Sequence, residues 1–231
     1  MCLYDVSFVF HMYYLIILVV NTSRIDCLER LFLKMTCYVL SGTLNSPHSL
    51  TSCRFCVTRF FNLMGTIFSF VTSDVNSKLS ILQYHLASEA GDHYKTVEEM
   101  IQYEVANGIT TESIKSGKQP SGSRTLLRLH RALQFLILLF CELAQSSESF
   151  STVVGEAYNA TLANHHPWVV RSAVSVALYA VPSRSSLIQR LDSEGSEERI
   201  ADQLNAAVLA MQPVYDRIQT LYTDNDLLQL P

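Results

Sequence analysis

The chain has 231 residues, of which 48% are apolar and 16% charged, and its 17 Lys and Arg against 21 Asp and Glu give a formal charge of −4. This excludes a disordered chain, which is charge-rich and apolar-poor, and a general nucleic-acid binder, which needs a basic excess to neutralise phosphates. Six Cys are too sparse for a disulfide scaffold, so a globular protein is expected, with more apolar surface than folding alone requires.

The chain opens with a run from Val6 to Val20, 15 mostly apolar residues preceded by Asp5 rather than by a base. A spanning helix needs ~20 such residues and a signal peptide a positive flank, so a membrane anchor or secretory leader is the secondary expectation. Five of the six Cys precede residue 57, and Cys53-Arg-Phe-Cys56 has redox or zinc spacing with no second pair behind it. A lone pair of this kind is a weak metal signal, and no metal is expected. Residues 1–56 therefore stand apart as a hydrophobic, Cys-rich segment, and residues 57–231 as the domain proper.

From Val57 onward the pattern is helical. Val57 to Leu86 places Val75, Leu79 and Leu82 on one face, after Phe60, Met64, Phe68 and Val71 at similar spacing. Asp92 is predicted to cap a helix running to Asn107, with Gly108 as its stop. Thr110 to Ser123 reads as a Gly, Pro and Ser loop. Arg124 to Ala144 is a long helix whose centre, LQFLILLF, is apolar almost all round and so must be buried. Phe150 to His165 is the next helix, then one starting at Pro167 and reaching Val181. Glu197 to Tyr222 is the last, with a kink expected at Pro213. No strand alternation or repeat is seen, so the fold class is all-α.

Three polar features interrupt this pattern. Asp74 and Lys78 form an i,i+4 pair, which on spacing alone is a surface ion pair worth a few tenths of a kcal/mol. Arg124, Arg128 and Arg131 lie on one stripe leading into the apolar LQFLILLF segment. Like charges at that spacing repel, so the stripe calls for an anion. Two candidates stand: salt bridges to Glu98, Glu99 or Glu104, or a bound phosphate, whose oxygens guanidinium forks match. The third feature is His165-His166-Pro167-Trp168, a His pair at a chain reversal beside the only Trp. That Trp is either a core ring or an interfacial one.

The stretches FFNLMGTIFSFVTSDVNSK, SRTLLRLHRAL and YNATLANHHPWVVR together resemble the glycolipid transfer protein family, and within it the branch that handles ceramide 1-phosphate. The likeness runs from Arg59 to Pro231; residues 1–56 do not share it. They are read either as non-coding sequence carried into the chain or as a membrane-targeting N-terminus. The resemblance implies a two-layer all-α sandwich that encloses lipid chains and holds the headgroup at its mouth. It implies that Asp74 receives the sphingoid amide and hydroxyl and that His166 donates to the acyl carbonyl. Where the glycolipid branch has Asn and a sugar-stacking Trp, this chain has Lys78 and Arg128. With Arg124 these imply a phosphate headgroup, Arg131 being a supporting contact and Trp168 the membrane contact.

A phosphate monoester carries about −1.5 to −2 charge at neutral pH, so a local cluster of bases suffices despite overall acidity. Moving a ~16-carbon chain through water costs roughly 13 kcal/mol, which only an apolar sleeve offsets. Phe60, Phe68, Phe135, Val170 and Val174 are the expected lining. The function implied is non-enzymatic transfer of ceramide 1-phosphate by a cytosolic monomer that touches membranes transiently, without cofactor or nucleic acid. Glycosphingolipid transfer is the alternative within the family. A lipid phosphohydrolase lacks a nucleophile or metal-ligand cluster at recognisable spacing.

Overall fold

The computed structural model describes residues 69–113, 118–191 and 196–231. The Val6–Val20 run, the Cys53–Cys56 pair, the 1–56 boundary, Phe60 and Phe68 all lie outside these residues. Among the described residues there is no β-strand, as the periodicity requires.

The first described helix, α1 (Ser69–Leu86), buries the predicted Val75, Leu79 and Leu82. Behind it a 3-10 turn, Gly91–Tyr94, packs so tightly that a Cβ on Gly91 would lie 2.2 Å from the Leu86 carbonyl oxygen. Only glycine allows that approach. The next helix, α2 (Val97–Ala106), is capped by Thr96 and not by Asp92. Thr96 has the extended backbone of a cap and accepts from the Glu99 N–H at 3.1 Å. Asp92 sits within the 3-10 turn and pairs with Lys95 at 2.5 Å. Gly108 ends α2 as expected, at φ +65°. Its N–H and that of Ile109 bond back to the carbonyls of Val105 and Glu104, the two reverse bonds of a Schellman cap.

Helix α3 (Gly122–Gln145) begins two residues before the predicted start because Ser121 caps it, accepting from the Arg124 N–H and donating to the Thr110 carbonyl. It is the hub, packing against α1, α2, α4 (Phe150–Ala160) and α7 (Glu197–Asp224). Leu133, Leu136, Leu139 and Phe140 are buried, while Phe135, Ile137 and Leu138 are partly buried against the same core. Burial by neighbours on several sides is what an all-round apolar helix needs.

The predicted Phe150–His165 helix divides: α4 ends at Ala160, and Ala163–His165 form a 3-10 turn. Pro167 is the cap of α5 (Trp168–Ala177) rather than its first residue, and another 3-10 turn, Leu178–Ala180, continues it. Helix α6 (Arg184–Leu191) has no counterpart among the predicted elements. Helix α7 runs through Pro213. Pro213 has no N–H to bond the carbonyl of Leu209 four residues back, and Leu209 is 75% exposed. No helix among the described residues is long and apolar enough to cross a membrane.

Candidate functional site

The arginine helix is held first at its N-terminus. Glu104 on α2 is fully buried, and its carboxylate accepts from the N–H groups of Gly122 and Ser123 at 2.6 and 2.9 Å and from the Tyr94 hydroxyl at 2.9 Å. A carboxylate there satisfies donors that the first turn leaves open and lies at the favourable end of the helix dipole. Burial and the neighbouring Glu104 charge push the Tyr94 phenol far up, so Tyr94 acts only as a neutral donor. Gly122 leaves room for this arrangement: a Cβ would meet Met100, Tyr94 and the carboxylate itself.

This fixes where the arginines project, and it corrects the salt-bridge expectation. Glu104 is committed to the helix end, and Glu98 pairs with Arg217 at 2.8 Å. Among the described residues no ion pair joins the stripe to an Asp or Glu side chain. The arginines meet main-chain oxygens of residues 228–231 instead. Arg124 Nε donates to Pro231 O at 2.7 Å, Arg128 donates to the same oxygen at 3.3 Å, and Arg131 donates to Leu228 O and Leu230 O at 2.9 and 3.3 Å. Burial and the adjacent Arg128 lower the basicity of Arg124 and of Arg131, yet a guanidinium stays charged throughout the physiological range. The stripe is thus a row of cations whose described partners are main-chain oxygens of residues 228–231.

On α1, which packs against α3, Asp74 and Lys78 form the predicted ion pair. It is not a plain surface pair, because the Lys78 side chain is 13% exposed and that of Asp74 65%. His166 stands at the junction before α5, half-buried. Burial holds its imidazole below the ordinary range; Asp74 favours the charged form and Lys78 opposes it. His165 is held down by burial, with Arg131 and His166 adding to it. The two histidines therefore feel different charges, His166 those of the α1 pair and His165 that of Arg131. Asp74, Lys78 and His166 are brought together, and Arg124, Arg128 and Arg131 form a second group along α3.

Tyr158 on α4, which sequence reasoning missed, contacts His166 Nδ1 through its hydroxyl at 2.9 Å. Two further contributors were also missed: Glu104 as helix anchor and the backbone of Leu228–Pro231. Carbonyls leave no mark in a sequence. Trp168 is 71% exposed, which decides against a core ring. Val169, Val176 and Tyr179 are exposed beside it on α5 and its continuation. Of the expected lining residues that are described, Phe135 packs on the core, while Val170 and Val174 are half-buried. An open depression of about 800 Å³ lies elsewhere, lined by Tyr84, His85, Tyr94, Tyr103, Glu112 and Lys118 among others. None of the predicted site residues among those described lines it.

Residues 46–193 match the family model described as Glycolipid transfer protein (GLTP). The ceramide-1-phosphate transfer protein of Mus musculus is 42% identical over 179 residues, covering 76% of this chain and 82% of that protein. The Homo sapiens protein of the same name is 39% identical over 177 residues, with the same coverage. The crystal structure of the human protein in complex with 12:0 ceramide-1-phosphate aligns with TM-score 0.72 at 36% identity, over 80% of this chain and 89% of that one. The mouse apo-form gives 0.69 at 40% identity, again over 80% and 89%. With a family model spanning more than half its length and relatives of this similarity, the chain belongs to the glycolipid transfer protein family.

Proposed function

We propose that the chain is a non-enzymatic carrier that binds ceramide 1-phosphate and moves it between membranes. The observation that carries this reading is the presence, on the packed helices α1 and α3, of two polar groups that complement the lipid. The Arg124–Arg128–Arg131 stripe has no Asp or Glu partner among the described residues, and the Asp74–Lys78–His166 group offers a carboxylate, an ammonium and an imidazole. Guanidinium forks match the oxygens of a doubly charged phosphate. Asp74 can accept from the sphingoid amide and hydroxyl. Tyr158 donating to Nδ1 of a neutral His166 leaves the ring proton on Nε2, the donor an acyl carbonyl needs. Each polar group of the lipid then has a complementary group.

Exposed Trp168, Val169, Val176 and Tyr179 support transient membrane contact, since an amphipathic ring at the surface partitions into the headgroup zone. A cytosolic monomer fits this mode of action. The test is transfer of labelled ceramide 1-phosphate between vesicles. Arg128→Trp and Lys78→Asn are each expected to lower the rate about tenfold, roughly the loss of one charge-assisted contact, with the helical circular-dichroism spectrum intact. Unchanged transfer in both variants would refute the site. Competition with a glycosylceramide separates this cargo from a sugar-headed one.

A further inference from the structure

The depression beside the end of α1 is walled by a chain of aromatic rings. Tyr84 meets His85 edge-on with ring centroids 5.6 Å apart, His85 stacks on Tyr94 at 4.8 Å, and Tyr94 meets Tyr103 edge-on at 5.9 Å. The two central rings are held from outside it: the Tyr94 hydroxyl donates to buried Glu104, and His85 Nε2 donates to the Pro120 carbonyl at 2.7 Å. Neither acceptor lines the depression. Its charged wall comes from the segment before α3. Glu112 donates its N–H to Ile109 O at 3.0 Å and accepts from the Ser121 N–H at 3.1 Å, which fixes its backbone. Its carboxylate pairs with Lys118. The Glu112 side chain is 23% exposed and that of Lys118 62%, so the carboxylate is the inner end of the pair and the ammonium sits at the rim.

We infer that this depression binds the zwitterionic phosphocholine headgroup of a membrane lipid. A quaternary ammonium has no hydrogen to donate, so it is held by aromatic faces and by nearby negative charge. Tyr84, Tyr94 and Tyr103 supply the rings and Glu112 the carboxylate. The phosphate then meets the Lys118 ammonium at the rim. Glu112 and Lys118 exchange each other for the two ends of the headgroup, and giving up a partly exposed ion pair costs little. Other ligand classes match less well. A simple anion would face Glu112, with Glu104 behind Tyr94, and a simple cation would leave Lys118 unmatched. Entry with the ammonium first leaves the phosphate at the mouth, where its second ester bond can continue into the body of a lipid. Asp74, Lys78, His166 and the arginine stripe do not line this depression, so it is a separate site from the one proposed for the cargo.

The test titrates the full chain with soluble phosphocholine, choline and inorganic phosphate in turn, following the tyrosine ring proton resonances. Phosphocholine is expected to bind about fivefold more tightly than either part. Tyr84 is 55% exposed, so Tyr84→Ala spares the core, and it is expected to weaken phosphocholine and choline about fivefold each. Tyr84→Phe keeps the ring and is expected to change both by less than about twofold. Lys118→Ala is expected to weaken phosphocholine about fivefold and leave choline no weaker. Phosphatidylcholine vesicles are expected to displace bound phosphocholine, and phosphatidylglycerol vesicles to leave it in place. No saturable shift with phosphocholine, phosphate binding as tight as phosphocholine binding, or indifference to Tyr84→Ala would each overturn the site. Soluble phosphocholine that phosphatidylcholine vesicles fail to displace would overturn the lipid source. Ceramide 1-phosphate is absent throughout, so the outcome is independent of the proposed cargo.

Discussion

Replacing Glu104 with Ala is the sharpest perturbation available, because it touches neither the arginines nor the lipid contacts. It leaves two backbone N–H groups and the Tyr94 hydroxyl buried without their acceptor. Each such donor left unpaired costs about 1–3 kcal/mol. Water entering the space recovers part of that, so the expected total is about 3–5 kcal/mol. In a domain of this size 1 kcal/mol moves the midpoint by about 2–4 °C, which gives a fall on the order of 10 °C. Tyr94→Phe removes one donor while the carboxylate keeps two, so its expected loss is about 1 kcal/mol. Glu104→Gln lies between the two, since an amide offers one accepting oxygen and turns an N–H₂ group towards a donor. Urea unfolding followed by far-ultraviolet circular dichroism at constant slope measures all three. A Glu104→Ala loss below about 1 kcal/mol, or one equal to that of Tyr94→Phe, would refute the claim that this carboxylate anchors α3.

Tyr158→Phe leaves the His166 ring without the contact at Nδ1, and vesicle transfer is expected to fall about fivefold, the equivalent of one hydrogen bond. Gly108→Ala places a side chain at φ +65° and is expected to lower stability by about 1 kcal/mol; Asp226→Gly, relieving the corresponding position after α7, raises it by about 0.5 kcal/mol. Both appear in urea midpoints. Burial keeps the His130 imidazole below its ordinary range, against the Gln219 contact and with help from Arg131. The unfolded chain therefore takes up that proton first, so stability is full above about pH 6.5 and falls as pH drops below it. His130→Phe, which retains stacking with Tyr215 and Tyr222, is expected to flatten the urea midpoint between pH 7 and pH 5.

The strongest helix was legible because Leu126, Leu129, Leu133, Leu136 and Phe140 repeat on the helical period and are all buried. Helix α6 was not, for the complementary reason. Its core contacts are Leu187 and Ile188, adjacent in sequence, so no periodicity marks it; Arg184 ties it to the Leu143 carbonyl over 41 positions. At the start of α2, Asp92 was the expected cap. The close approach of Gly91 to Leu86 puts Asp92 inside a 3-10 turn and gives the role to Thr96. The stripe itself was visible as spacing, whereas its partners were not. Every residue carries a carbonyl, and which ones arrive depends on the reversal at Asp226, about a hundred positions away.

Helix α5 is apolar in sequence, yet Ala177 alone among its residues is buried. Among the described residues, detaching or re-angling it would strip little from the core, chiefly the half-buried Val170 and Val174. The rest of the domain can tolerate wide change in this helix without losing its fold. Selection on Trp168, Val169 and Val176 is then free to follow whatever surface they meet, independently of the constraints that hold α3 in place.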